Sequence, residues 1–590
     1  MPLIVQKFGG TSVADASKIM AAARRAIRAA HEGNQVVVVV SARGHSTDEL
    51  IAAAREITDR PPAREMDMLL STGEQVSVAL MAMAVQKLGH PSISFTGTQI
   101  GIVTDRSHTR ARIRSISTDR MRQALDEGKI VIAAGFQGID EDYNITTLGR
   151  GGSDTTAVAL AAVLGADLCE IYTDVEGVFT TDPRVVPDAR KIDAISYDEM
   201  LELASLGAGV MHSRSIEFAQ KYNVPIHVRS SFTDTPGTFI VAHVTSDEQA
   251  VVTGAARVAN EARVSLIGVP DRPGVSHDIF ARLADRNIAV DMIVQDVGTG
   301  GTAEVSFTVP DGDLDAAREV AAELGAEQVT YDDNVSKVSV VGEGMRRVSG
   351  VAAQMFEALA EAGVNLVMIS TSEIKISVLV ARADSERALR AVHGAFGLDL
   401  PRPFTPADPP AMPHGGFDAS RAARIAERLA GMEDLAISNV ALDLSQSRIA
   451  LADIPDRPGV AARIFSTIAL GGAVVDMIVQ NVGRDGSSAV SFTVPRREHD
   501  RARELSRQVL GELGAGRVSS EPEIAKLSVY GIGMRSHTAV ATRMFGALAA
   551  RDINVRMINT SEHCVATVVE NARGREALAA LEDEFRELLG

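Results

Sequence analysis

Along the first 240 residues the spacing of apolar positions keeps switching between two periods. Leu3-Ile-Val5 is a short apolar run that predicts a buried strand, left through the turn Gln6-Lys-Phe-Gly-Gly-Thr-Ser12. Alanines and isoleucines then recur at helical spacing from about Asp15 to His31, which predicts an amphipathic helix. Val36 to Val40 is an unbroken β-branched run, and Lys129 to Ala134 predicts another strand. The helix Thr155 to Leu164 and the strand Glu170 to Tyr172 continue the alternation. Buried strands alternating with helices predict an α/β fold, a largely parallel sheet covered on both faces.

Beyond residue 250 the periods shorten and the text repeats. Asp271-Arg-Pro-Gly-Val275, running to Val290-Asp-Met-Ile-Val-Gln295, returns 185 residues later as Asp456-Arg-Pro-Gly-Val460, running to Val475-Asp-Met-Ile-Val-Gln480. Lys337-Val-Ser-Val-Val-Gly342 to Thr371-Ser-Glu373 ends 189 residues before the end of its copy, Lys526-Leu-Ser-Val-Tyr-Gly531 to Thr560-Ser-Glu562. A nearly constant offset means one duplicated module, each copy holding two small units. In the first unit Val264 to Val269 predicts a strand, and Gly274 to Arg286 a helix with Ile279, Phe280 and Leu283 on one face. Val290 to Val294 and Ala303 to Val309 follow as a hairpin-linked pair, then a helix over Leu314 to Leu324. The βαββαβ order is ferredoxin-like and leaves a strand edge able to pair with another unit. Ala250 to Ala259 and Ala436 to Ser445 read as extra strands ahead of each module. Pro401 to Gly416 is a proline-rich, semi-rigid spacer, followed by a helix over about Ala419 to Gly431. One edge departs from the repeat: Ser372-Glu-Ile-Lys-Ile-Ser377 becomes Ser561-Glu-His-Cys-Val-Ala566.

A chain of 590 residues has room for about four domains. Its formal charge of −18 opposes a nucleic-acid footprint or an anionic membrane partner, while leaving room for a nucleotide bound by a few local cations. The two cysteines, Cys169 and Cys564, are too few and too far apart for a disulfide framework, so a reducing cytoplasm is expected. The first residues show no signal-type segment, and no apolar run approaches the roughly 18 residues of a membrane span.

Three glycine turns lie where a parallel sheet collects ligands: Gly9-Gly10-Thr11-Ser12, Ser41-Ala-Arg-Gly44 and Gly149-Arg-Gly-Gly-Ser-Asp154. One such turn merely connects elements. Three, two of them beside a cation (Lys7, Arg150), point to an anion site built from backbone amides and a helix N-terminus. None has the spacing of a P-loop or of a dinucleotide fingerprint, which disfavours P-loop and dehydrogenase chemistry.

Lys7-Phe-Gly-Gly-Thr-Ser12, Ser71-Thr-Gly-Glu74, Gly149-Arg-Gly-Gly-Ser-Asp154 and Tyr172-Thr-Asp-Val-Glu-Gly-Val-Phe-Thr-Thr-Asp-Pro-Arg184 together resemble the motif set of the aspartokinases, in the amino acid kinase superfamily. The resemblance extends over the whole chain, because aspartokinases carry C-terminal ACT units and this chain reads as having four, in two tandem modules. It implies ATP-dependent phosphorylation of the side-chain carboxylate of L-aspartate, the first step towards lysine, threonine and methionine. Lys7 is then the residue for transition-state charge, with Asp154 orienting it. Arg150 is implied for the substrate α-carboxylate and Glu74 for its ammonium, with Thr47 and Ser153 completing the pocket. Nucleotide contacts fall on Lys7, Gly9, Gly10, Thr173, Asp174, Phe179, Asp182 and Arg184. Mg²⁺ is implied as a ligand mainly of the nucleotide, with no protein metal site. In many relatives a lysine that touches ATP stands at the Gly209 position; Arg214, Lys221 and Arg229 are the candidates to replace it. His212 reads as a packed or capping residue.

ACT units bind amino acids between paired units. The resemblance implies one pocket from Asp271, Asp291 and Gln295 with Asn365 and Ile369 of the second unit, each module's extra strand completing that unit. The copy is Asp456, Asp476, Gln480, Asn554 and Ile558. Lysine, threonine or both are the implied effectors, and a homodimer through the ACT units is implied. The expected division is 1–245 for the catalytic domain, 246–398 and 434–590 for the ACT pairs, and 399–433 for the linker and helix. The alternatives are another amino acid kinase, such as a glutamate 5-kinase or acetylglutamate kinase, and an inactive amino-acid sensor.

Overall fold

The computed structural model describes residues 1–207, 210–244, 251–297, 301–400, 436–482, 487–532, 534 and 539–589. Gly209, the proline-rich spacer and the helix expected after it lie outside the described residues.

Eight strands of the N-terminal half form one sheet, in the order Ala194–Ser196, Thr238–Val241, Ile226–Ser230, Leu168–Thr173, Leu3–Phe8, Gln35–Val40, Ile130–Ala134 and Ser92–Phe95. Neighbours are parallel except Ile226–Ser230 with Thr238–Val241. The valine run explains itself in this setting. Val36, Val38 and Val40 join one buried cluster with Ile19, Met81 and Val85 of the helices Ala16–His31 and Ala63–Lys87. Val37 and Val39 join another with Leu160, Leu201 and Ile216 of the helices Gly152–Leu164, Tyr197–Ser205 and Ser213–Tyr222. A strand covered on both faces has no polar side to alternate with. A second, four-stranded sheet, Ile113–Ile116, Ile102–Thr104, Gln137–Ile139 and Ile145–Thr147, delivers the chain to the Gly149 turn.

The helix Ala63–Lys87 is long and apolar enough to cross a membrane by length and composition. More than half of its most apolar stretch is buried within the fold, however, and its buried face carries Asp67 and Glu74.

Twelve strands of the C-terminal half close into a single barrel. As expected, the strand ahead of each module completes that module's second unit, and it does so without a break. In Gly254–Pro270 the stretch Gly254 to Val258 pairs with Lys337 to Val341, and Val264 to Ile267 pairs with Gln328 to Tyr331. Ala436–Pro455 and Arg517–Ile532 repeat this arrangement. The strand expected at Val290 to Val294 instead spans Ile293–Val297.

The pairing between units corrects a larger expectation. Ile369, in Met368–Thr371, pairs with Gln480 in Ile478–Val482; Gln295 pairs with Ile558 in Met557–Thr560. Each unit therefore meets a unit of the other module at these edges. An antiparallel edge satisfies its backbone groups only with a strand it can reach, and here those strands lie one module away in the same chain.

Candidate functional site

The strand Leu3–Phe8 lies between Gln35–Val40 and Leu168–Thr173, all parallel, so their following turns gather at one end of the sheet. Lys7 stands near the end of its strand, and its Nζ lies 2.6 Å from Oδ1 of Asp154. Asp154 sits in the first turn of the helix Gly152–Leu164, where the helix dipole favours a carboxylate. The chain enters that helix through Gly151 at φ 73°. A side chain there would collide with His212, since an added Cβ would lie 2.4 Å from the histidine Cβ. His212 caps the helix Ser213–Tyr222 and accepts from the Arg214 amide, the packed role expected of it.

The glycine turns touch backbone to backbone. The Gly44 amide donates to the Gly10 carbonyl at 3.0 Å, and a Cβ on Gly10 would come within 2.8 Å of the Ala42 carbonyl. The Ala42 amide donates to Oε1 of Glu74 at 2.9 Å, while Oε2 is buried with no hydrogen-bond partner. Burial pushes the Glu74 carboxyl up to about 7, against the lowering effect of the Ala42 amide. A buried carboxylate with one oxygen unused is what an incoming ammonium group can neutralise. Thr47 is half-buried in the first turn of Ser46–Ile57, just beyond this turn, and Ser153 is buried beside Gly135. Arg150 is exposed at the tip of its turn, its side chain directed by no ion pair among the described residues. The structure thus brings Lys7, Asp154, Ser153, Glu74 and the three glycine turns together at one end of the sheet.

Phe136 escaped the sequence reading. It holds φ 69° and packs on Gly152, and its amide donates to Thr156 Oγ1 at 3.1 Å. A bulky residue in the left-handed region leaves no trace in composition or periodicity.

On the other side of Lys7, the Ser231 amide donates to the Thr173 carbonyl at 2.8 Å and the hydroxyls of Ser231 and Ser12 are 2.6 Å apart. This ties the Gly9–Ser12 turn to the strand end bearing Thr173 and the exposed Asp174. Phe8 and Tyr172 stack at 4.8 Å beneath it. Phe179 is half-buried in a bridge with Lys191. Asp182 and Arg184 form an exposed ion pair at 2.8 Å, and hydrogen bonding from Arg184 holds the Asp182 carboxyl below the usual range. Two of the candidates to replace a lysine at Gly209 are engaged elsewhere. Arg214 donates to the carbonyls of Leu148 and Ala111 at 2.6 and 2.7 Å, and Arg229 pairs with Glu170 at 3.1 Å. The Lys221 ammonium lies over the Tyr222 ring at 5.8 Å.

In the barrel the expected effector residues separate into two kinds of site. Asn554 donates to Asp271 at 2.7 Å, and Gln295 donates to the Val555 carbonyl at 2.7 Å. Asn365 donates to Asp456 at 3.0 Å, and Gln480 donates to the Leu366 carbonyl at 3.0 Å. Each cluster thus takes its Asn from the other module, and Ile369 and Ile558 change places accordingly. Asn365, Asp456, Gly459 and Gln480 line a narrow cavity. Asp291 and Asp476 belong to neither cluster. Asp291 pairs with the buried Lys337 and Asp476 with Lys526, so both carboxylates expected to receive an effector ammonium are already matched with lysines of the chain. Each faces a second kind of cavity, lined by the Thr-Ser-Glu hairpin of the other module. Asp291 with Thr560, Ser561 and Glu562 lines one, and Asp476 with Thr371, Ser372 and Glu373 the other.

Residues 2–230 match the amino acid kinase family, and residues 264–327, 338–396 and 527–585 match ACT domains. An aspartokinase of Mycolicibacterium smegmatis is 50% identical over 407 residues, covering 68% of this chain and 97% of that protein. The crystal structure of aspartate kinase from Synechocystis matches 99% of this chain and 98% of its own, with 41% identity and a TM-score of 0.52. E. coli aspartokinase III, 27% identical, matches 67% of this chain and 99% of its own in two structures. One is a complex with aspartate and ADP (R-state, TM-score 0.58), the other a complex with lysine and aspartate (T-state, TM-score 0.54).

Proposed function

We propose, from the premise that this chain belongs to the aspartokinase family, that it transfers the γ-phosphoryl group of ATP to the side-chain carboxylate of L-aspartate. The observation that carries the reading is the Lys7–Asp154 pair at the mouth of three glycine turns, with the unmatched oxygen of Glu74 nearby. The nucleophile needs no base, because a carboxylate with an ordinary pKa of about 3.9 is ionised at neutral pH. One of its oxygens forms a bond to the γ-phosphorus as the bond to the β–γ bridging oxygen breaks, and that electron pair leaves with ADP. The obstacle is the approach of two anions, so catalysis is positioning and charge stabilisation.

Lys7 is assigned to the charge that spreads over the transferred oxygens, held in place by Asp154. Arg150 is assigned to the substrate α-carboxylate, for which its planar fork is suited. Glu74 is assigned to the ammonium, with Thr47 and Ser153 completing the pocket. Gly9, Gly10, Thr173, Asp174, Phe179, Asp182 and Arg184 are assigned to the nucleotide side, Arg184 turning from Asp182 to the phosphates. Among the described residues no three His, Cys, Asp or Glu side chains converge on a metal-sized site. Mg²⁺ is taken, as the resemblance implies, to arrive with ATP, and no residue or step is assigned to it.

The catalytic part is taken as 1–245 and the ACT pairs as 246–398 and 434–590, in a cytoplasmic enzyme. Lysine is the proposed effector and threonine the second, supported by the E. coli relative solved with lysine. A homodimer through the ACT units remains part of the proposal; within the chain the edges at Ile369 and Ile558 are paired with Gln480 and Gln295 of the other module. The test is ADP release measured with aspartate, with glutamate and without acceptor. Release that depends on aspartate alone is expected; equal release with glutamate would overturn the assignment.

A further inference from the structure

Asp67 and Glu74 stand seven residues apart on the helix Ala63–Lys87, two turns, and so project from the same face. Glu74 is accounted for; Asp67 is not. Its side chain is completely buried, and it gathers four hydrogen-bond contacts. The Thr109 amide donates to both oxygens at 3.0 and 3.1 Å, Thr147 Oγ1 donates at 2.5 Å, and Nδ1 of His108 lies at 2.7 Å. All of these partners belong to the two segments flanking the Gly149 turn.

Thr109 holds φ 67°, a left-handed conformation that costs a β-branched residue energy and persists only where the surroundings enforce it. The two bonds from its amide to Asp67 are that enforcement. The kink turns the Thr109 carbonyl towards Gly149, where an added Cβ would lie 2.9 Å from it. Thr147, held by the same carboxylate, is two residues before Gly149, and its carbonyl accepts from the Ala111 amide at 2.9 Å. Arg150 follows immediately.

We propose that Asp67 is a positioning residue for the amino-acid substrate: it clamps the Thr109 kink and Thr147 together and so seats the Gly149 turn that aims Arg150. The proposal rests on the assignment of Arg150 to the substrate carboxylate. It explains why a second carboxylate besides Glu74 is kept completely buried on this helix, where a charge needs partners of its own. It also predicts a signature that a general stabilising role lacks. Misplacing Arg150 weakens the grip on the amino acid while leaving the nucleotide side, built on other strands, as it was.

The experiment measures KM for aspartate and for ATP, kcat and the thermal midpoint for Asp67→Asn, Arg150→Ala and the double variant. Asp67→Asn keeps the volume and should raise the aspartate KM on the order of tenfold or more, with the ATP KM changed less than about twofold. Because Asp67 acts through Arg150, the double variant should bind aspartate no worse than Arg150→Ala alone. Multiplicative losses in the double variant, an equal rise in both KM values, or an unmoved aspartate KM would each overturn the proposal. An Arg150→Ala enzyme with an unchanged aspartate KM would instead overturn the assignment of Arg150 itself. If Asp67→Asn does not fold, Thr147→Val removes a single donor to the same carboxylate. It should raise the aspartate KM selectively by a few-fold, and no selective rise counts against the clamp.

Discussion

Oε2 of Glu202, on the helix Tyr197–Ser205 of the kinase sheet, lies 2.6 Å from Nζ of Lys375 in the barrel, and the Glu202 side chain has no exposure at all. The same carboxylate accepts from the Glu562 amide at 3.2 Å and has Nδ1 of His563 at 3.3 Å. One kinase residue is thus held by the second unit of each module. Both hairpins it touches line cavities, through Glu373 on one side and Ser561, Glu562 and His563 on the other. From its helix the chain leads on to His212, packed against Gly151.

Glu202 should therefore couple the barrel to the kinase site. Burial opposes its charge, but the Lys375 ammonium and His563 outweigh burial and hold the carboxyl below the usual range. A lowered folded pKa stabilises above the unfolded value, so this contribution should be full at neutral pH and lost as pH falls through the folded pKa. Glu202→Gln leaves Lys375 buried without its partner, at a cost of about 3–5 kcal/mol in thermal or denaturant unfolding. Combining Glu202→Leu with Lys375→Met should recover most of that stability. The recovered enzyme should need several-fold more lysine or threonine for half-inhibition, as expected when a coupling of about 1–3 kcal/mol is weakened. Unaltered inhibition curves would exclude this junction from the coupling.

Lys7→Ala should lower kcat far more than it raises the aspartate KM. Loss of one preorganised donor to transition-state charge costs about 3 kcal/mol, a hundredfold or more in turnover. Steady-state kinetics at saturating ATP decide it, and near-normal turnover would remove Lys7 from its assigned role.

Glu74 gives a pH signature. With its carboxyl raised to about 7 by burial, the free enzyme near pH 6 carries it mostly protonated and unable to neutralise an ammonium. The kcat/KM for aspartate should rise with pH through about 7, and Glu74→Gln should flatten that rise while increasing the aspartate KM. Stability runs the other way. A raised folded pKa contributes stability below the unfolded value that is lost as pH rises through the folded value, so the ligand-free midpoint should fall across that window. Glu74→Gln should abolish the fall.

The two kinds of aspartate in the barrel should behave differently. Asp456→Ala opens the cavity that it shares with Asn365 and Gln480, and should shift the inhibitor concentration with little change in uninhibited rate. Asp291→Ala strips the buried Lys337 of its closest carboxylate and should register chiefly as lost stability, about 3–5 kcal/mol. Dose–response curves and melting profiles of both variants separate the two. An Asp291→Ala enzyme with parental stability and altered inhibition would reverse the assignment.

Most of the catalytic half was legible because its signals are local. A β-branched run, a glycine turn and a helix start are each written in consecutive residues, and Lys7 and Asp154 fall at their junctions; Glu74, midway along the helix Ala63–Lys87, was legible only through the resemblance. The extra strands ahead of each module were legible for the same reason. What escaped depends on distant choices. Asn365 and Asn554 are read identically in the two copies, so nothing near either says which Asp it will face; the closure of the barrel decides it. The partner of Asp291 was also hidden, because the pattern does not show Lys337 across the sheet. Asp67, Thr109 and Phe136 were invisible because strain and burial belong to the assembled fold. Only the change from Ser372–Ser377 to Ser561–Ala566 hinted at Glu202, by breaking the repeat where His563 meets it.

The barrel joins two near-copies of a module within one polypeptide, and this changes what substitution can achieve. In a symmetric pair of identical subunits every mutation appears twice, at equivalent places, and the paired sites must change together. Here each position occurs once. Lys375 and His563 occupy corresponding hairpins yet present different groups, an ammonium and an imidazole, to a single carboxylate, an asymmetry unavailable to identical partners. The pairing is also unimolecular, so dilution cannot separate the two modules that line each shared cavity. Divergence of one half from the other is then open to selection without any change in how the halves find each other.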